Sequence, residues 1–245
     1  MQTNYLKPNY YVTPTGYTSY EEYRNYDERA CEVVNDFLDE NFYPHFTVDT
    51  TFERIETMEE QVKGIDCTFT ATNGTKYICD EKAAVKWANK NLKTFAIELN
   101  YINRAGNLHM GWFLDDTNVS NSYNFIYTDK IRDDEGDFNY HTFTEDNIKE
   151  VTCILVRKDK LADYFNSLGW TKNRFLIKCQ KIRESNGECK MGDLETNGLR
   201  FHYGKNLPEK SINALVSREK LKEIADYVYT YKNGKVDFLK KGVRK

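Results

Sequence analysis

The stretch Asp66-Cys67-Thr68-Phe69-Thr70-Ala71-Thr72-Asn73-Gly74-Thr75-Lys76-Tyr77-Ile78-Cys79-Asp80-Glu81-Lys82 reads as two strands joined at Asn73-Gly74. An Asn-Gly pair between runs of β-branched and aromatic residues is a strong hairpin signal. Residues of equal parity share one face of a strand. The loop length decides which parities meet across the hairpin. A two-residue Asn73-Gly74 turn mixes apolar and polar side chains on both faces. A three-residue loop, Asn73-Gly74-Thr75, pairs Thr72 with Lys76, Thr68 with Asp80 and Asp66 with Lys82. Ile65, Cys67, Phe69, Tyr77 and Cys79 then share one face, and Asp66, Thr68, Thr70, Asp80 and Lys82 share the other, with Ile78 the apolar exception. An odd-length loop, or an equivalent bulge, is therefore expected.

Grouping Asp66 with Asp80 has a chemical consequence. Two carboxylates repel, and a divalent cation removes that cost. Mg²⁺ prefers oxygen ligands and commonly takes one or two carboxylates, leaving water and a phosphate to complete its sphere. Lys82 points to the same face, where an ammonium could orient an attacking water or stabilise charge on a phosphate. The alternative is an ordinary solvated polar face with an Asp–Lys cross-strand pair.

Outward from the hairpin, the spacing of Ala30, Val33, Val34, Phe37 and Leu38 predicts a helix over Tyr20–Asn41, stopped near Pro44. Residues 51–61 read as a charged connector, and 83–91 as a short helix. Alternating Phe95, Ile97, Leu99 and Tyr101 predict a strand over 94–102, with further strands at 110–114, 123–127, 151–157 and 174–182. Helices are expected at 158–168 and 217–229. Residues 1–19 read as an irregular arm, 20–239 as one domain and 240–245 as a basic tail. The fold class is α+β or mixed α/β, with a central mixed sheet flanked by helices.

The net charge of −3 and pI near 5.9 argue against simple coating of DNA or RNA. No stretch is long and apolar enough for a membrane span, and no signal peptide is legible; the expected location is cytoplasmic. The six cysteines form no CxxC pair and read as free thiols. The four histidines have no metal spacing. There is no Walker loop, G-x-G-x-x-G or G-x-S-x-G. Lys172, Arg174 and Lys178 share strand parity, as a solvated face or a phosphate contact.

The strings Gln61-Val62-Lys63-Gly64-Ile65-Asp66 and Tyr77-Ile78-Cys79-Asp80-Glu81-Lys82-Ala83 resemble the PD-(D/E)XK nuclease superfamily, including members from bacteria and phages. Ile65 stands where the motif's name has proline. The resemblance covers mainly residues 20–102 and implies a restriction-endonuclease-like core: a helix, a three-stranded meander, a helix and a further strand. It implies that Asp66 and Asp80 bind Mg²⁺ or Mn²⁺, that the Glu81 backbone carbonyl is a ligand, and that Lys82 is the catalytic lysine. An acid from the first helix, Glu28 or Glu32, could join them. Glu98 has the parity opposite to its apolar neighbours, and could accept a hydrogen bond from a ligand or lie in solvent. Gln61 could contact metal-bound water or simply cap the connector. The implied function is metal-dependent hydrolysis of nucleic-acid phosphodiester bonds, DNA foremost, in a bacterial cell or phage-infected host. The alternative is the same fold as an inactive nucleic-acid- or protein-binding module. Oligomeric state stays open, a dimer included.

Overall fold

A stripe of apolar residues one turn apart makes the first helix. In α1 (Tyr20–Asn41), Ala30, Val34, Phe37 and Leu38 are buried, the i, i+4, i+7, i+8 pattern of a helix with one inward face. Phe37 meets Tyr231 edge-on at 4.9 Å between ring centroids. The helix gives way to a 3-10 turn, Tyr43–Phe46, which contains Pro44.

The structure, a computed structural model, describes residues 20–46, 50–55, 57–61, 63–71, 73–103, 105–131, 142–188 and 199–241. The expected arm at 1–19 lies outside the described residues, as do residues 242–245 of the expected tail. Lys240 and Lys241, which the sequence reading gives to that tail, end the last strand. The fold is mixed α/β. Contacts divide the stretch 20–239 between two compact units, each built from discontinuous segments.

One unit comprises 26–93, 117–161 and 218–245. Its seven-stranded mixed sheet contains β1 (Thr50–Arg54), β2 (Cys67–Ala71), β3 (Lys76–Ala83), β6 (Ser122–Ile131), β7 (Ile148–Arg157), β10 (Tyr227–Lys232) and β11 (Lys235–Lys241), in that spatial order. β1, β2 and β3 form an antiparallel meander, and β6 then joins β3 in parallel. The parallel pair needs a crossover, and the chain makes it through residues 84–121. Where a short helix was expected at 83–91, only a 3-10 turn, Val85–Trp87, forms. The expected connector at 51–61, for which a short helix was the other reading, begins with the last four residues of β1 and ends in the four-residue helix α2 (Met58–Gln61). β1 escapes a hydropathy reading because one of its inward positions is Arg54, whose partners come from distant segments.

The other unit comprises residues 94–116 and 162–217 among its described segments. β4 (Thr94–Ile102), β5 (Leu108–Met110), β8 (Arg200–Tyr203) and β9 (Ile212–Ser217) make a four-stranded sheet in the order β5-β4-β9-β8. Its aromatic core joins Phe113, Phe165, Trp170, Phe175 and Phe201, with ring centroids 5.0–5.1 Å apart for Trp170–Phe201, Phe113–Phe165 and Phe165–Phe175. α3 (Lys158–Ser167) matches the expected helix. The helix expected at 217–229 is shorter, α5 (Arg218–Ile224), and is followed by β10.

The strand expected at 174–182 is a helix, α4 (Lys172–Glu184). Phe175, Lys178, Cys179 and Ile182 are its buried residues, a helical spacing with a lysine in one apolar slot. That lysine disguises the period. The Thr171 hydroxyl accepts from the Arg174 amide at 3.3 Å and caps the helix. In a strand Ile177 would share a face with Phe175 and Cys179; in α4 it is 48% exposed while Ile182 is fully buried. I182A should therefore cost about 2–5 kcal/mol in denaturant melts and I177A about 0.5 or less. Equal costs for the two would overturn the helix.

Candidate functional site

The hairpin keeps its expected parity but not its expected pairing. Cys67 faces Cys79, Thr68 faces Ile78 and Thr70 faces Lys76. The Ala71 amide donates to the Thr75 carbonyl at 2.9 Å, so the loop has odd length and starts one residue earlier than expected. Asn73 caps the turn by accepting the Thr75 amide at 3.0 Å, and Gly74 takes φ +81°. The shift brings Asp66, just before β2, beside Cys79 and Asp80 and leaves Lys82 beyond them. The expected pairs Asp66–Lys82 and Thr68–Asp80 do not form.

Cys67, Phe69, Ala71, Tyr77 and Cys79 are all buried on one face. Glu81 follows them by parity. Its carboxylate accepts from the Tyr43 hydroxyl and from Arg54, which also donates to Asp39 of α1 at 2.5 and 2.8 Å and to the Asp66 carbonyl at 3.5 Å. The Asn124 amide donates to Tyr43 at 3.0 Å. Burial and the Glu81 charge push the Tyr43 phenol well above its ordinary pKa, so it stays a proton donor. Sequence reasoning missed Arg54, Tyr43 and Asp39, because three separate segments supply them.

On the opposite face lie Asp66, Asp80 and Lys82. Asp80 is 2% exposed and Thr68 is buried, while Asp66 and Lys82 are half-buried, so this polar face is covered at its middle and open at its edge. The Lys82 ammonium sits 2.5 Å from Asp80 Oδ1. The Asn118 amide reaches Asp80 Oδ2 at 3.4 Å. Asp66 stands just before β2, where its own amide donates to the Cys79 carbonyl at 2.9 Å and its Oδ2 accepts the Glu81 amide at 2.6 Å. The amide and carbonyl of one strand residue point to the same edge, so the Glu81 carbonyl also lies on the Asp66 side of β3. Burial, then the Asp80 charge, push the Asp66 carboxyl up from 3.8 to about 7, against the pull of the Glu81 amide and Lys82.

Asn118 is another residue the sequence reading passed over. Gly64 makes room for it: at φ +79°, a Cβ there would lie 2.4 Å from the Asn118 amide nitrogen. The Val119 amide donates to the Lys63 carbonyl at 3.0 Å and binds the two loops together. The Gly64-Ile65-Asp66 string was the available sign of a tight turn before the acid.

The remaining candidates are placed differently. Gln61 is exposed, and its side-chain amide donates to the Ile55 carbonyl at 2.9 Å, tying off the connector. Glu28 and Glu32 are exposed on α1. They flank Cys31, whose thiol is raised to about 12 by burial and by Asp27, against a lowering from nearby Lys82. Glu98 belongs to the other unit, on β4 opposite Asn213, between buried Ile97 and Leu99. Among the described residues, five cysteines are free thiols, and no three His, Cys, Asp or Glu side chains are arranged to hold a metal ion. Two neighbouring carboxylates and a backbone carbonyl are oxygen donors of the kind a magnesium-type site uses, with its other ligands taken from water and phosphate. No described helix is long and apolar enough to cross a membrane. No family model, curated protein or solved structure matches the chain.

Because Asp66 titrates higher folded than unfolded, its neutral form favours the fold. That contribution is complete below about pH 4 and is lost as pH rises through about 7. In chelator, wild-type stability should fall across this window, and D66N should flatten the fall. An unchanged pH slope in D66N would refute the shift.

Proposed function

We propose that the unit carrying Asp66, Asp80 and Lys82 is a metal-dependent nuclease that hydrolyses phosphodiester bonds, with DNA as substrate. The observation that carries this reading is the closeness of half-buried Asp66 to buried Asp80, with the Lys82 ammonium 2.5 Å from Asp80. Burying two acids together is costly, and one lysine balances only one of them. A divalent cation would resolve the repulsion. The chain order also supports a restriction-endonuclease-like core: a helix, an antiparallel meander and a strand joined in parallel. The departures are Ile65 in the proline position and a 3-10 turn in place of the second helix.

Asp66 and Asp80 would hold the cation, with the Glu81 carbonyl beside them. Bound there, Mg²⁺ or Mn²⁺ supplies charge neutralisation at the scissile phosphate and acidifies a water. The Glu81 amide fixes the Asp66 carboxylate and leaves its other oxygen to bind. Asn118 steadies the far oxygen of Asp80. Lys82, set beside Asp80, would orient the attacking water and face the charge growing on phosphate.

One feature favours the inactive-module alternative: Lys82 already neutralises Asp80, and no third acid joins the pair among the described residues. Catalysis decides between them. With Mn²⁺ or Mg²⁺ the wild-type protein should cut DNA, and D66A, D80A and K82A should each lower the rate by at least about 100-fold, the loss typical of an electrostatic or acid–base group. Isothermal titration should show Mn²⁺ binding that vanishes in D66A/D80A. Intact plasmid, single-stranded DNA and RNA, together with no metal binding, would end the nuclease reading.

A further inference from the structure

The strand that carries Asp80 and Lys82 runs directly into Ala83-Ala84-Val85-Lys86-Trp87-Ala88-Asn89-Lys90-Asn91-Leu92-Lys93. In a chain of net charge −3, no acid occurs between Glu81 and Glu98, while Lys82, Lys86, Lys90 and Lys93 all fall there. At the middle of this run Trp87 is 46% exposed. Trp112 is half-buried and Trp170 is buried, so Trp87 is the indole presented to solvent. The Lys86 and Lys90 ammonium groups lie 5.8 and 6.0 Å from its ring centroid.

The loop is built to hold that ring outward. Val85 and Ala88, on either side of it, are buried anchors. Asn89, at φ +62°, pairs with Ile131 of β6 as a strand would: its side chain accepts the Ile131 amide at 2.9 Å and donates to the Ile131 carbonyl at 3.1 Å. The Ala84 amide donates to the Ile126 carbonyl at 2.9 Å, and the Lys93 carbonyl accepts the Arg218 amide at 2.8 Å. Both ends and the middle are therefore fixed to the unit that holds Asp66 and Asp80. An exposed indole would cost less if buried, so a rigid frame that keeps it in water is unexplained by folding alone.

We propose that Trp87, with Lys86, Lys90 and Lys93, is a stacking platform for an unpaired base of single-stranded DNA, and that the substrate enters the site as a single strand. The indole face takes a base, and the lysines take the neighbouring phosphates. Stacking on an aromatic ring requires an unstacked base, which a duplex interior does not offer. The lysine stems are flexible, so the Lys86 and Lys90 ammonium groups can swing from the ring, and that of Lys93 from the Asn91 side chain it holds at 2.9 Å, to a phosphate without moving the backbone. The occupant is identified by charge: a polyanion with flat apolar faces matches a run of cations around an indole. This names the substrate class for the nuclease reading and rests on it, though the binding step needs no metal.

The test is strand binding in chelator, read by quenching of tryptophan fluorescence and by anisotropy of labelled oligothymidylate. The wild type should bind the single strand tighter than a duplex of matched length. W87A should weaken strand binding about 5- to 100-fold, W87F should restore part of it, and neither should change duplex binding. K86Q and K90Q should each reduce the slope of log affinity against log salt by about 0.7. The platform is overturned if W87A binds the strand like the wild type, if duplex binds equally well, or if only RNA strands bind. Cleavage assays separate this claim from the nuclease reading. If W87A loses strand binding but no protein cuts any nucleic acid with Mn²⁺, the platform stands alone. If D80A abolishes cutting but W87A binds normally, the nuclease reading stands alone.

Discussion

Side chains alternate along a strand, so a hairpin loop of odd length keeps two acids together and one of even length parts them. The site of this protein hangs on that parity. With Ala71 bonded to Thr75, Cys67, Phe69, Tyr77 and Cys79 go to the apolar interior, while Asp66, Asp80 and Lys82 go to the other face. A slip of one residue would turn one strand over, sending Asp80 among aromatic rings and Cys79 outward while Asp66 and Cys67 stayed in place. Hydrophobic burial on one face thus selects the register that creates electrostatic strain on the other.

Glu81 shows how the same strand secures both faces. Its carboxylate is buried on the apolar side, where Arg54 and Tyr43 satisfy it, and its amide reaches the Asp66 carboxylate. Arg54 also binds Asp39, so α1 is tied to the hairpin through one guanidinium. Such a buried network adds little net stability, because desolvation offsets much of the attraction, but any other arrangement leaves a charge unpaired. Its value here is positional: it fixes the backbone from which Asp80 and Lys82 project.

The charge pattern reconciles an acidic chain with the polyanionic partner proposed for it. Net charge describes the whole surface, whereas binding depends on the local field. Asp80 is buried and Asp66 half-buried, and the lysines follow them in a run with no acid until Glu98. The order along the chain, acid pair and then cations around Trp87, sets the proposed metal site and the proposed base-stacking loop at the same end of one strand.

The sequence alone determined the elements whose signal is local. The 3.6-residue spacing in α1, the alternation in β4 and the Asn73-Gly74 turn are all legible in short windows, and so was the sharing of a face by Asp80 and Lys82, because parity is a property of the strand itself. The apolar pattern of the two strands added an odd-length loop, which brings Asp66 to them. Only the tertiary structure decided the rest. The approach of Asp66 to Asp80 rather than to Lys82 follows from where the loop begins, which no composition rule specifies to one residue. α4 hid behind Lys178, and β1 behind Arg54, because a charged residue can take an inward position once distant partners or an aromatic surface receive it. Asn118, Tyr43 and Arg54 reach the hairpin from segments far apart in the chain, and proximity of that kind is created by packing, which leaves no mark in the spacing of the residues involved.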